Sequence, residues 1–356
     1  MPSGAGHERF LIKGISYHAY RPETSEEKGE LPHGPGPHID PSTEDRLVEL
    51  EKDIPLIRYL GFNSISVSGL DPSADHSNAL RLLEKNGIYV LTTLFEDMMV
   101  RTSKLGSRET RQPDDEFSGT YTIDHILNAF RLLDELSRHP NVLGFAVQAS
   151  LVFQPNRSRV AEVIRACVRD LKAFLRHRGI GHVPVGVFVR GQGPIEVPEL
   201  QYFTAGSPEE RVDFYGHQCW TWVSPSDFKI SGWKDMVARY GPTSPVPMFF
   251  SEYGAKVRER SWDEVSCLYS PHMTQTHSGG FAYTFLEGAN PYGMVRVDQQ
   301  GRRWRRKEQE REWNALGKRM RQVNVQLLQD IAPHEVKLYE RVSHLPVIFS
   351  SRIRHS

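Results

Sequence analysis

Short apolar runs, rich in β-branched and aromatic residues, alternate along the chain with longer stretches in which apolar residues return every three or four positions. A near-continuous apolar run predicts a strand buried on both faces, and the longer period predicts an amphipathic helix. The runs that predict strands are FLIKGISYH (10–18), NSISVS (63–68), IYVLTTL (88–94), VLGFAVQA (142–149), VPVGVFV (183–189), FYGHQCW (214–220), PVPMFFSE (245–252) and GGFAYTFL (279–286).

The alternation of eight strands with helices predicts one architecture. Stretches such as EDRLVELEKDIPLIRYLG and RVAEVIRACVRDLKAFLRHRG separate the strands and have helical spacing. Eight buried strands joined by helical crossovers favour a (β/α)₈ TIM barrel over an open sheet. We therefore expect a single α/β domain over residues 1–356, with a C-terminal helix and tail at 305–356 and long loops at 21–44 and 95–119.

Composition and charge narrow the class of function. Lys plus Arg and Asp plus Glu number 44 each, so no overall field attracts nucleic acid or an anionic membrane. We expect a small-molecule substrate instead, and we interpret GRRWRRKE (301–308) as a solvated turn that leads into the last helix. Three cysteines, no apolar leader and no long apolar run predict a cytoplasmic protein with reduced thiols.

The carboxyl ends of the strands surround the active-site mouth in a barrel of this kind. Glu252 ends the seventh predicted strand, where it could be a nucleophile or general base, or could simply pair with a nearby arginine. His18 ends the first strand and is the candidate second acid/base group. The aromatic residues predicted to form the pocket walls are Trp220, Trp222, Tyr253 and Tyr283.

Three histidines near the first strand raise the alternative of a metal site. His18, His33 and His38 lie in or next to a Pro/Gly-rich loop. Flexible loops rarely preorganise a metal site, and no carboxylate-rich strand end accompanies these histidines. We therefore expect no metal and no cofactor.

Several motifs follow one another between about residue 10 and residue 297, among them KDIPLIRYLGFNSISVSGLDPSADH, DFYG, PVPMFFSEYG, SGGFAY and NPYGMV. In sequence and in order they resemble the motifs of glycoside hydrolase family 72, the fungal β-1,3-glucanosyltransferases that remodel cell-wall glucan. The resemblance implies a TIM barrel whose nucleophile, in the motif FFSEYG, is Glu252.

The same comparison implies a changed mouth. The Gly-Asn-Glu triplet that holds the family's acid/base glutamate falls on Gln148-Ala149-Ser150, so the carboxyl group is replaced. The family's Tyr-Gln after the first strand is Tyr17-His18 here. Its Arg-Val-Tyr ends at Ser68, and its Tyr-Glu-Trp-Cys run begins at Trp220. The residues expected to contact the substrate are Tyr17, Ser68, Gln148, Ser150, His217, Trp220, Trp222, Tyr253 and Tyr283.

These replacements favour a changed function. A general acid contributes roughly 10² to 10⁴ in rate, so ordinary glucan transfer is expected to be nearly lost. The favoured interpretation is a repurposed barrel that cyclises, isomerises or dehydrates a small apolar or aromatic metabolite, with Glu252 retained and its pKa raised by desolvation. The alternatives are a non-catalytic binding or scaffold protein, and residual β-1,3-glucan transglycosylase or hydrolase activity.

Overall fold

Eight parallel strands form a closed barrel in a computed structural model that describes residues 10–20, 38–95, 121–149, 159–191, 196–241, 244–288, 290–298 and 300–323. The barrel strands are β1 Ile12–Ser16, β2 Ser64–Val67, β3 Tyr89–Leu94, β4 Val142–Gln148, β5 Val185–Val189, β6 Tyr215–Cys219, β7 Met248–Tyr253 and β8 His277–Ala282. Each strand pairs with the next along the chain, and β8 pairs with β1. The predicted (β/α)₈ barrel is confirmed.

Helices follow the strands on the outside of the barrel. The helices are α1 Leu47–Leu60, α2 Ser77–Lys85, α3 Ile123–Leu136, α4 Arg159–His177, α5 Glu196–Thr204, α6 Trp233–Tyr240, α7 Glu264–Leu268, α8 Pro271–Thr274 and α9 Lys307–Gln322. Gly61 ends α1 in the left-handed conformation, and the Thr122 hydroxyl caps α3 by accepting the His125 backbone N–H. The helical pattern after β7 forms two short helices because Pro271 cannot continue α7.

Aromatic and aliphatic side chains fill the barrel interior. Seven of them, from seven of the eight strands or their ends, form one buried cluster: Ile12, Leu91, Ala146, Phe188, Phe214, Phe249 and Phe281. The rings need small neighbours, since a Cβ atom on Gly216 would lie 2.6 Å from Phe188. Alternate residues, such as Ile65 and Val67 on β2, face outward and pack with the helices. This alternation decides which strand-end residues reach the mouth.

The basic stretch after β8 is not the solvated turn that its composition predicts. Arg296–Val297 and Arg303–Trp304 form a two-stranded antiparallel ribbon. The Arg303 side chain is only 8% exposed and pairs with Asp53 of α1 at 2.6 Å and with Glu49. The ribbon therefore anchors the entry to α9 against α1. The predicted extent of the single domain stays a prediction, because residues 324–356 lie outside the described ranges.

No helix among these described residues is long and apolar enough to cross a membrane.

Candidate active site

A bulge in β7 turns Glu252 toward the barrel interior. On β6, His217 pairs with Phe250 and the next residue, Gln218, pairs with Glu252, so Ser251 is an extra residue in β7. The register of β7 against β8 shifts over the same residues. Gln218 lies on the inward-facing side of β6, so its partner Glu252 also faces inward. A regular strand would have placed Glu252 on the outer face with Phe250.

Three aromatic rings form one side of the mouth, and we call them the aromatic wall: Trp220, Tyr283 and Tyr292. Their ring centroids are 5.6 Å apart for Trp220 and Tyr283, 5.8 Å for Trp220 and Tyr292, and 5.6 Å for Tyr283 and Tyr292. Asn290 donates to the Tyr283 hydroxyl at 3.2 Å, and Trp220 donates from Nε1 to Gln218 at 3.4 Å. The wall therefore joins the ends of β6 and β8 on either side of β7.

His18 and Ser68 contact each other just beyond the ends of β1 and β2. Ser68 Oγ lies 2.7 Å from His18 Nδ1, and the two residues are 1% and 8% exposed, respectively. The His18 ring centroid lies 6.5 Å from that of Tyr283. The Ser68 contact fixes the orientation of the imidazole beside the aromatic wall.

The end of β4 occupies the position where the resemblance implies an acid/base glutamate. Gln148 is partly exposed and lies on the same inward-facing side of β4 as Ala146. Ala149 is fully buried on the outer face, in the core under the helices. Ser150 lies outside the described residues. An amide therefore stands where β4 faces the mouth.

The loops after β1 and β2 are tied together by Asp40. Its carboxylate accepts the backbone N–H of Asp71 at 2.7 Å and contacts His76 Nε2 at 2.8 Å, while His76 Nδ1 lies 2.9 Å from Glu135. Burial disfavours the charged imidazole, but the hydrogen bonds to Asp40 and Glu135 outweigh that effect and raise the pKa of His76 to about 9. A protonated His76 therefore braces this side of the mouth.

Two predicted contact residues point away from the mouth. The Tyr17 hydroxyl donates to Asp53 of α1 at 2.8 Å, and its ring packs against Phe285. His217 is fully buried on the outer face of β6, where its Nε2 lies 2.9 Å from His277 Nε2 and its ring contacts Tyr240 of α6. The expectation that Tyr17 and His217 reach the substrate is wrong, because both occupy outward-facing positions.

Two aromatic residues that were predicted to line the pocket lie in the hydrophobic core instead. Trp222 is 4% exposed, packs against Trp233 in a tilted arrangement with a centroid distance of 4.6 Å, and donates to Asp263 at 3.3 Å. Tyr253 is fully buried and meets the edge of the Trp262 ring. The residue after Glu252 faces outward by the same alternation that turns Glu252 inward, which corrects the expectation that Tyr253 lines the pocket.

The roles of the other predicted site residues remain predictions. Six of the predicted residues lie at inward-facing strand ends: Glu252, His18, Ser68, Gln148, Trp220 and Tyr283. Their roles in substrate binding or catalysis stay predictions. The side chains of His33 and His38 lie outside the described residues, and within the described ranges no three His, Cys, Asp or Glu residues are arranged to hold a metal ion. The raised pKa of Glu252 also stays a prediction.

Acid should destabilise the fold through His217. Burial lowers the pKa of His217 to about 4, below the value of 6.5 for a free imidazole, so the unfolded chain binds the proton more tightly. Stability contributed by the neutral ring is therefore complete above about pH 6.5 and falls as the pH approaches 4, by on the order of 3 kcal/mol. In urea unfolding at pH 7 and pH 4.5, we expect the H217F variant to lose less stability on acidification than the unmodified protein. An equal loss in both proteins would contradict this assignment.

Two residues important to the site escaped sequence analysis. Tyr292, in NPYGMV, completes the aromatic wall, and its place in a matching motif is the signal that could have found it. Arg260 lies buried behind the wall and donates to the backbone carbonyl of Tyr283 at 2.7 Å. No local pattern indicates that an arginine in the exposed-looking stretch KVRERSW is buried.

Comparison with known proteins gives the family. The glucanosyltransferase family, glycoside hydrolase family 72, matches residues 3–324. The 1,3-beta-glucanosyltransferase gas1 of Schizosaccharomyces pombe is 31% identical over 292 residues, which cover 81% of this chain and 49% of that protein. The 1,3-beta-glucanosyltransferase GAS5 of Saccharomyces cerevisiae is 29% identical over 294 residues, covering 82% and 55%. The chain thus spans about half the length of these curated relatives.

A solved structure gives the same answer. Saccharomyces cerevisiae Gas2p in complex with laminaritriose and laminaritetraose superposes with a TM-score of 0.74 at 25% identity, over 90% of this chain and 66% of that one. The closed barrel, the inward carboxylate in the motif FFSEYG and the match over residues 3–324 agree. The chain belongs to glycoside hydrolase family 72, the glucanosyltransferase family.

Proposed function

We propose that this barrel acts on β-1,3-linked glucan oligosaccharides as a slow transglycosylase or hydrolase, with Glu252 as the nucleophile. The observation that carries the proposal is the β7 bulge, which turns the carboxylate of Glu252 into the mouth of a barrel of this family. The laminari-oligosaccharides bound to the related Gas2p support a β-1,3-glucan ligand.

The reaction would be a double displacement. The Glu252 carboxylate attacks the anomeric carbon, the bond from that carbon to the glycosidic oxygen breaks, and the departing oxygen takes a proton. A hydroxyl group of a second oligosaccharide, or water, then attacks the same carbon, gives its proton to the group that protonated the first leaving oxygen, and releases Glu252. The aromatic wall would hold the sugar rings, since their apolar faces pack well on Trp220, Tyr283 and Tyr292.

We assign the proton of the first step to His18. The family's acid/base position falls on Gln148-Ala149-Ser150, and none of these side chains is a carboxylic acid. His18 is a titratable group beside the aromatic wall, and Ser68 orients its ring. A protonated imidazole can donate this proton, but it replaces the carboxylic acid of the family, so we expect slower turnover than with that acid.

This assignment predicts how the H18Q variant depends on the leaving group. An ordinary glucan alkoxide needs a proton as it departs, so the rate on laminaripentaose should fall by roughly 100-fold. Fluoride leaves without that help, so kcat/KM for β-laminaribiosyl fluoride, which reports the first step alone, should fall much less. Equal losses on the two donors would indicate that His18 binds the sugar without supplying the proton.

The function itself is tested by incubating the protein with laminaripentaose and separating the products by size. We expect both shorter and longer oligosaccharides to accumulate over hours, and none from cellopentaose, which has the same length but β-1,4 linkages. Tight binding of laminaripentaose without any product would favour the non-catalytic alternative. Neither binding nor product from a folded protein would defeat the proposal.

The aromatic wall also favours a second candidate, an enzyme for a small apolar or aromatic metabolite. Three rings within 6 Å of one another, beside a mouth in which β4 contributes an amide, suit a flat ligand as well as a sugar. Competition separates the two candidates. An aromatic ligand that binds in the micromolar range, and that laminaripentaose does not displace, would favour this repurposed function.

A further inference from the structure

Arg260 is buried next to the mouth, and each nitrogen of its guanidinium group donates a hydrogen bond. The residue is 2% exposed and follows β7 by seven positions. Its Nε and Nη2 donate to Glu312 of α9 at 3.0 and 2.8 Å, and Lys256 also approaches Glu312 at 3.1 Å. Both of these Arg260 nitrogens donate to Oε2, while Oε1 accepts the backbone N–H of Arg260 at 3.1 Å, so Glu312 holds both the side chain and the backbone of Arg260.

The other donors of Arg260 reach three backbone carbonyls around the mouth. Nη1 donates to Tyr283 at 2.7 Å and more weakly to Gly254 at 3.5 Å, and Nη2 donates to Tyr292 at 2.7 Å. Tyr283 and Tyr292 belong to the aromatic wall, and Gly254 lies two residues after Glu252. One planar group thus connects the wall to the exit of the strand that carries the carboxylate.

The guanidinium group of Arg260 packs against the ring of Trp262. Its central carbon lies 4.3 Å from the Trp262 ring centroid, and a Cβ atom on Gly254 would lie 2.6 Å from that same ring. Gly254 therefore cannot carry a side chain without displacing Trp262, the ring on which the guanidinium group of Arg260 packs. A lysine could keep the charge beside Glu312, but its single ammonium group cannot span three divergent carbonyls.

We propose that Arg260, held by Glu312, is a positioning residue that sets the aromatic wall at a fixed distance from Glu252 and thereby determines the affinity of the site for oligosaccharide. The inference rests on the proposed function for its ligand, but its geometric part does not depend on any ligand. It also couples α9 to the active site, because Glu312 is the anchor of the arginine.

The R260K variant separates positioning from charge. It retains a cation for Glu312 and loses the three carbonyl contacts, so we expect a melting temperature within a few degrees of the parent protein. Affinity for laminaripentaose, measured by calorimetry, should fall by roughly tenfold or more. The matched control is R311M, which removes the ion pair between Arg311 and Glu259 at the surface. These two residues are the immediate sequence neighbours of Glu312 and Arg260. The control should bind like the parent.

A ligand-free measurement keeps the test independent of the proposed function. In protein labelled with 5-fluorotryptophan, the ¹⁹F resonance of Trp220 can be assigned with the W220F variant and reports the neighbouring rings of Tyr283 and Tyr292. We expect this resonance to shift or broaden in R260K and to stay unchanged in R311M. If the parent does not bind laminaripentaose, the proposed function fails, and this resonance alone decides the role of Arg260.

The outcomes then divide cleanly. An unchanged Trp220 resonance in R260K, or unchanged affinity where the parent binds, would overturn the inference. Should R260K not fold, the double variant R260M/E312Q removes both buried charges and should displace the resonance in the same way. A folded double variant with an unchanged Trp220 resonance would overturn the inference equally.

Discussion

Replacing Glu252 by glutamine is expected to lower turnover of laminaripentaose by at least about 100-fold while leaving the fold intact. Glutamine keeps the size of the side chain and some of its hydrogen bonding, but its neutral amide cannot attack the anomeric carbon. The position of the carboxylate on the inward side of the β7 bulge is the structural reason for the expected loss. The measurement is the initial rate of product formation, with circular dichroism to verify folding.

The matched control for this variant is E259Q. Glu259 lies seven residues further along and its side chain is 41% exposed in an ion pair with Arg311, so its replacement should leave turnover unchanged. If E252Q were as active as E259Q, the carboxylate of Glu252 would be a structural feature and the proposed mechanism would be wrong.

Removing Glu312 is expected to cost about 3–5 kcal/mol of unfolding free energy, the largest stability effect we predict. In E312A the guanidinium group of Arg260 stays in the interior without its counter-charge, and Lys256 loses the same partner. Burial lowers the pKa of Arg260 and the charge of Glu312 opposes that effect, so the carboxylate offsets part of the cost of burying the cation. Urea unfolding at pH 7 measures the loss.

An exposed pair provides the comparison for this second prediction. E259A breaks the ion pair to Arg311 between the same two segments, but both side chains are well exposed and solvent replaces the contact. We expect a much smaller loss for E259A. Equal losses in E312A and E259A would refute the view that the buried pair anchors α9 to the barrel.

The barrel could be predicted because each of its strands is recognisable from a short stretch of sequence. A strand such as VPVGVFV is buried on both faces, so its apolar run is visible in the sequence without knowledge of its neighbours. The position of Glu252 at the end of β7 follows from the same run. The resemblance to the family adds the chemical interpretation of that carboxylate, which composition and periodicity alone leave open.

The direction of the strand-end side chains could not be predicted, because it depends on pairing between strands. The extra residue Ser251 shifts the register of β7, so Glu252 faces inward and Tyr253 faces outward. The prediction that Trp222 lines the pocket is wrong for a related reason, because this side chain packs against Trp233 of α6. Aromatic residues at strand ends serve the core as readily as a pocket, and composition does not distinguish the two.

Polar contacts between residues far apart in the sequence could not be predicted either. Arg260 and Glu312 are separated by 52 residues, and each lies in a stretch rich in charged residues that predicts solvent exposure. The pair of Arg303 and Asp53 spans 250 residues. The expected cytoplasmic location and reduced thiols stay predictions.

The central claim, that Glu252 is the nucleophile of a glucan-active barrel, is tested most directly by trapping the covalent intermediate. A 2-deoxy-2-fluoro-laminaribiosyl fluoride carries a leaving group that needs no proton, and its 2-fluoro substituent slows release of the sugar from the enzyme. Intact-protein mass spectrometry should detect one added 2-deoxy-2-fluoro-laminaribiosyl group, and peptide mapping should place it on Glu252. A label on another residue, or no label on a folded protein that binds the compound, would contradict the claim.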